Sequence, residues 1–195
     1  MRNPENIRNL EALSIDWMGM IFYRKSKRHV VNPVPKENMS IKRIGVFVDG
    51  AEDYISGKIK MHQLDGVQMH GYESPDDCAR WKDKNYITIK AFSINSAFDF
   101  STIERYVSTC DYFLFDTKGK TKGGTGIRFD WTLLDKYHGP TPFLLSGGIG
   151  PEHIEDIRSF HHQFMYGIDI NSQFETEPAV KNIEAIKKFK DELFS

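Results

Sequence analysis

The chain has 195 residues, 27 acidic against 26 basic side chains, a formal net charge of -1 and 39% hydrophobic residues, enough apolar material for a packed core. That balance argues against a nucleic-acid-binding domain built on a basic face and against a polybasic membrane-surface protein. No apolar run approaches the roughly 18 residues of a membrane span, and no apolar stretch follows a basic start, so a cytoplasmic chain is expected.

Asn3 followed by Pro4 marks the start of a helix in which Ile7, Leu10 and Leu13 recur on one face. Short β-rich apolar runs follow at 17–22, 43–48, 66–70, 86–92, 112–116, 141–146 and 165–170. Helical segments at 51–63, 75–84, 100–108, 131–137, 151–160 and 179–194 alternate with them. Residues 32–40 carry Pro33 and Pro35 and no helical period, so one helix is expected to be lost there. Cys78 and Cys110 lack the CxxC spacing of a metal or redox pair and read as buried thiols; no metal site is implied.

No linker or shift of composition divides the chain, so residues 1–195 are one domain. The alternation predicts an α/β fold with a parallel sheet. Seven βα units behind a leading helix predict a (β/α)8 TIM barrel that lacks its first strand, with the helix after barrel strand 2 degenerate. An open doubly wound sheet would call for a Gly-rich turn after the first strand, and none follows 17–22. The unpaired edges of an incomplete barrel would invite self-association.

Three segments could carry chemistry. Asp116 ends an apolar run, and the Gly-rich polar stretch behind it, with Gly124 and Gly126, could close over a substrate; the plainer reading is a solvated surface loop. Ser146-Gly147-Gly148-Ile149-Gly150-Pro151 ends the next run, where glycine amides can approach an anion or make a tight turn. Asp169-Ile170-Asn171-Ser172 follows the last run and could complete the same anion site. Arg28 stands in the basic run Arg24-Lys25-Ser26-Lys27-Arg28, a solvated stretch or a carboxylate clamp. His153, His161 and His162 match no metal-ligand spacing and read as surface residues.

Together these residues resemble the phosphoribosylanthranilate isomerase family over nearly the whole chain. Gly45-Val46-Phe47-Val48, Val67-Gln68-Met69-His70-Gly71, Lys90-Ala91, Leu114-Phe115-Asp116-Thr117, Gly123-Gly124-Thr125-Gly126 with Phe129-Asp130-Trp131, Leu145-Ser146-Gly147-Gly148 and Asp169-Ile170-Asn171-Ser172 fall in family order and spacing. The resemblance implies a cofactor-free Amadori rearrangement of a phosphorylated small molecule, N-(5-phosphoribosyl)anthranilate, in tryptophan biosynthesis. It makes Asp116 the general acid, and apolar surroundings are expected to help it hold its proton. It gives the anthranilate carboxylate to Arg28, substrate contacts to Gly124 and Gly126, and the phosphate to the backbone around Gly147, Gly148, Asn171 and Ser172.

The family's general base is a cysteine at the end of the first strand, in a Lys-Val-Cys-Gly-Met type of motif. This sequence matches from the methionine onward. The expectation is therefore a start at an internal methionine, a chain with little turnover, and Asp49 as a conceivable surrogate base. The alternative is a phosphate-binding barrel that has lost catalysis.

Overall fold

Asn3 opens α1 (Pro4–Glu11) by accepting the Asn6 amide on its side chain, and Pro4 sits in the first turn, where no amide is needed. The computed structural model describes residues 1–34, 36, 40–117 and 129–195. Seven strands follow the order of the chain: β1 (Trp17–Ile21), β2 (Lys42–Phe47), β3 (Gly66–Met69), β4 (Ile87–Ile94), β5 (Tyr112–Thr117), β6 (Phe143–Leu145) and β7 (Met165–Ile168). They form one sheet in that same order, and every neighbouring pair is parallel.

Parallel neighbours need a crossover between them. α2 (Glu52–His62) and α3 (Pro75–Lys82) supply two, and Ser74 caps α3 with a reciprocal Ser74–Asp77 box. The next two crossovers are 3₁₀ helices, Phe100–Tyr106 and Trp131–Lys136, where α-helices are expected from the apolar period. The 151–160 segment is also split, into a 3₁₀ turn at Pro151–His153 and α4 (Ile154–Ser159). In 32–40 the described residues hold no helix; instead buried Arg43 donates to the Val34 carbonyl at 2.7 Å, and Lys36 pairs with Asp65.

The expected helix over 179–194 starts late. Val180–Lys181 is a strand, β9, which pairs antiparallel with β8 (Glu175–Glu177), and α5 (Ile183–Leu193) begins only after Asn182 caps it through the Ala185 amide.

The sheet is curled. Laid flat, β1 and β7 would lie six strand spacings apart, roughly 29 Å. Yet the Trp17 ring of β1 stacks on Tyr166 of β7 at 5.7 Å and meets Tyr112 of β5 edge-on at 4.9 Å. An inner apolar cluster fills the curl: Ile44, Ile89, Ala91, Leu114 and Leu144, with Trp17, Ile87 and Tyr112 against it. The alternate residues of the same strands, such as Met18, Phe47, Val67, Phe113 and Leu145, join the larger cluster beneath the helices.

Candidate active site

Because side chains two apart on a strand share a face, each inner row runs on to the residue at the strand's C-terminal end. On β5 the row is Tyr112, Leu114, Asp116; on β6 it passes from Leu144 to Ser146. Above the apolar cluster the inner face thus turns polar. Phe115, next to Asp116 in the chain, packs in the outer cluster, so it supplies none of the apolar surroundings expected for Asp116. What meets Asp116 is His70, just past the end of β3, with its Nε2 3.5 Å from Asp116 Oδ2. Gln68, two residues before His70, brings its amide nitrogen within 2.7 Å of His70 Nδ1.

A second pair closes the layer. Ser146 Oγ donates to Asp169 Oδ2 at 2.8 Å. Asp169 keeps a small accessible edge but is ringed by protein, and this burial pushes its carboxyl above the usual range. The Ser146 bond and Lys181 oppose that shift, and the nearby Asp116 adds to it.

Gly147 and Gly148 have φ of +89° and +69°, a region costly for other residues. At Gly147 the close approach is as demanding as the angle: a Cβ there would lie 2.5 Å from the Thr117 amide nitrogen and 2.8 Å from Asp116 Oδ1. The β6 loop therefore rests directly on the end of β5. The expected helix N-terminus behind it is only a 3₁₀ turn, and the Gly150 amide already donates to His153 Nδ1 at 2.9 Å. Amides at this loop, rather than a long helix dipole, are what an anion would meet.

Arg28 does hold a carboxylate, an internal one: its Nε is 3.0 and 2.8 Å from the two oxygens of Glu175, and its Nη2 is 2.6 Å from one of them. Burial works to raise the Glu175 carboxyl, but the Arg28 bonds and Lys181 together hold it below its ordinary value. Lys181 itself, its affinity for the proton lowered by burial, donates to the Asn171 carbonyl at 3.0 Å and to Asn171 Oδ1 at 2.9 Å. Ser172 begins the 3₁₀ turn Ser172–Phe174 beside it.

Asp49 has a positive φ of 51°, and its Oδ1 accepts the Tyr72 amide at 2.6 Å, which binds it to the β3–α3 loop. Cys78 and Cys110 are both buried in the outer cluster. Gly124 and Gly126 lie outside the described residues. Among the described residues no group of three His, Cys, Asp or Glu side chains is arranged to hold a metal, and no helix is long and apolar enough to cross a membrane.

His70, Gln68, Glu175 and Lys181 do not stand out in the sequence as site residues. A signal for His70 is present there all the same, since it closes an apolar run just as Asp116 does. Lys181 gives none, because it lies inside a segment whose period reads as helix.

An all-parallel curled sheet whose inner face ends in acid–base side chains and glycine loops at the strand C-termini defines an α/β enzyme of the barrel-like class. The family model of N-(5'-phosphoribosyl)anthranilate isomerase matches residues 3–192. The isomerase of Parabacteroides distasonis is 47% identical, the match covering 97% of this chain and 88% of that protein. The isomerase of Phocaeicola vulgatus is 42% identical, over 99% and 94%. A crystal structure of phosphoribosylanthranilate isomerase from Thermus thermophilus superposes with a TM-score of 0.81 at 22% identity, over 100% of this chain and 95% of that one. A structure of such an isomerase in complex with reduced 1-(o-carboxyphenylamino)-1-deoxyribulose 5-phosphate gives 0.76 at 26% identity, over 100% and 95%. The chain belongs to the N-(5'-phosphoribosyl)anthranilate isomerase family, and its function is that family's isomerase step in tryptophan biosynthesis.

Proposed function

We propose that the polar layer at the strand C-termini converts N-(5-phosphoribosyl)anthranilate into 1-(2-carboxyphenylamino)-1-deoxyribulose 5-phosphate, with Asp116 as general acid. The observation that carries this is Asp116 on the inner face, 3.5 Å from His70, with the glycine loop of Gly147 against it. Asp116 protonates the furanose ring oxygen, the ring C–O bond breaks, and the anilino nitrogen's electron pair forms an iminium. Loss of the C2 proton then returns that pair to nitrogen and gives the enol, which becomes the ketose.

The Gly147 and Gly148 amides and the Asn171–Ser172 turn take the phosphate. Arg28, with Nε and Nη2 on Glu175, turns its remaining edge to the anthranilate carboxylate. In this reading the sheet is seven strands of an eight-stranded TIM barrel, the first-strand position lying between the β7 and β1 edges, with the degenerate helix after β1. The C2 base belongs to that strand position. Cys78 and Cys110 lie in the outer layer, and Asp49 is held by the Tyr72 amide, so none of the three is given the role.

In a parent that carries the first-strand position, Asp116→Asn keeps shape and hydrogen bonding but cannot deliver a proton, so kcat should fall by about 10² to 10⁴ with KM little changed. A kcat within about threefold of the parent's, some 0.7 kcal/mol, would mean a different acid. Gly148→Asp should abolish inorganic phosphate binding in calorimetry by placing charge and bulk in the anion's space.

A further inference from the structure

A neutral imidazole carries one N–H and one lone pair, and the partner of one nitrogen decides what the other presents. Here the Gln68 amide nitrogen lies 2.7 Å from His70 Nδ1, so the amide N–H donates to the Nδ1 lone pair and the ring proton sits on Nε2, facing Asp116 at 3.5 Å. We propose that Gln68 is a positioning residue that locks His70 in the Nε2–H tautomer and thereby reserves the Asp116 proton for the substrate. This rests on Asp116 being the general acid.

The reason lies in relative proton affinity. An imidazole ordinarily binds a proton at a pKa of about 6.5, a carboxylate at about 3.9. A free imidazole lone pair aimed at Asp116 would therefore take the acid's proton and leave a carboxylate with nothing to give. With Nε2 protonated and Nδ1 engaged by Gln68, no lone pair of His70 points at the acid. After Asp116 has passed its proton to the ring oxygen, its new carboxylate faces the Nε2–H dipole, which stabilises the discharged form. The donor N–H that stands in place of the lone pair thus favours the transfer itself.

The fold is built to hold this arrangement. Gln68 and His70 are two apart along β3, so both face the interior, and Gln68 is buried at 9% exposure. The backbone on either side of His70 is clamped by Lys90, whose Nζ donates to the Met69 carbonyl at 3.1 Å and to the Gly71 carbonyl at 2.8 Å.

Nitrogen-15 NMR of the labelled chain at pH 7 tests the tautomer directly, with the His70 signals identified by their loss in His70→Asn. The expected spectrum shows a pyrrole-type Nε2 and a pyridine-type Nδ1. Gln68→Glu should convert the ring to the doubly protonated form, because a carboxylate accepts from Nδ1–H, and in a parent that carries the first-strand position it should lower kcat about tenfold or more with KM little changed. Gln68→Met, which offers neither donor nor acceptor, should give mixed tautomers and a smaller loss. An Nδ1–H tautomer in the wild type overturns the proposal, as does a Gln68→Glu variant that is doubly protonated yet turns over like the parent. If Asp116→Asn keeps full turnover, the acid assignment fails by itself, and the NMR result still states whether Gln68 sets the tautomer.

Discussion

His62 has no exposed surface, and neither of its ring nitrogens has a hydrogen-bond partner among the described residues. Its ring packs on Phe22 at 4.8 Å, at the C-terminal end of α2. Burial, aided by Lys58 and Arg43, lowers its pKa from 6.5 to about 4. The folded state therefore disfavours the charged ring while the unfolded chain accepts the proton near 6.5, so the contribution is full above 6.5 and lost as pH falls toward 4. At 1.36 kcal/mol per unit the loss across that window is about 3 kcal/mol. Denaturant unfolding at pH 7 and pH 4.5 should show a large part of it, and His62→Phe should be much less sensitive over the same interval. Glu175, held below its ordinary value, also loses stabilisation on acidification, but in a lower window, below about 4.5. An unchanged slope between pH 6.5 and 4.5 in His62→Phe would assign the acid sensitivity elsewhere.

The end of β3 depends on a buried ion pair. The Lys90 and Glu73 side chains are 3% and 5% exposed, 3.0 Å apart. Glu73 also accepts the Asp49 and Gly71 amides, both at 2.8 Å, so the pair ties the ends of β2, β3 and β4 together. Removing one partner leaves a buried charge uncompensated, and Lys90→Met should cost about 3 to 5 kcal/mol in chemical denaturation. Adding Glu73→Gln should cost far less than it does alone, because the stranded charge is then gone. Additive costs would show that the two groups act independently.

The strands of this region were legible in the sequence because a continuous apolar run of four to eight residues, bounded by polar turns, is what a strand buried on both faces of a parallel sheet requires. All seven expected strands form, with ends displaced by a few residues. The helices were less legible. An apolar period in six or seven residues cannot separate an α-turn from a 3₁₀-turn, and Asp99 and Asp130 cap the two tight segments equally well through Ser101 and Thr132. The β8–β9 hairpin escaped because Lys181 and Asn182 read as the first turn of α5, while the real helix start is the Asn182 cap. The ion pairs Arg28–Glu175 and Lys90–Glu73 join residues 147 and 17 apart in sequence, and pairing of that kind leaves no local pattern.

At the scale of the whole molecule, the curled sheet ends in two edges, β1 and β7. They are not equally open. On β1 the Gly19 carbonyl accepts the Met1 amine at 2.8 Å and the Ile21 carbonyl accepts the Val30 amide at 2.8 Å, so two acceptors on that edge are already engaged. On β7 the Asp169 amide bonds the Leu145 carbonyl, and strand alternation then turns Ile168 toward the open side. Tyr166, on the same strand, keeps 57% of its surface exposed despite its contacts with Trp17 and Tyr112. An open backbone edge beside an exposed aromatic ring favours pairing with another chain. Sedimentation velocity over about a hundredfold range of concentration should show reversible growth in size. Tyr166→Lys, which places a charge on the edge and removes the ring, should shift that growth to at least about tenfold higher concentration, an effect of about 1.4 kcal/mol. A chain that stays monomeric throughout would show that β7 is not an association edge, and association unaffected by Tyr166→Lys would place the contact on another surface.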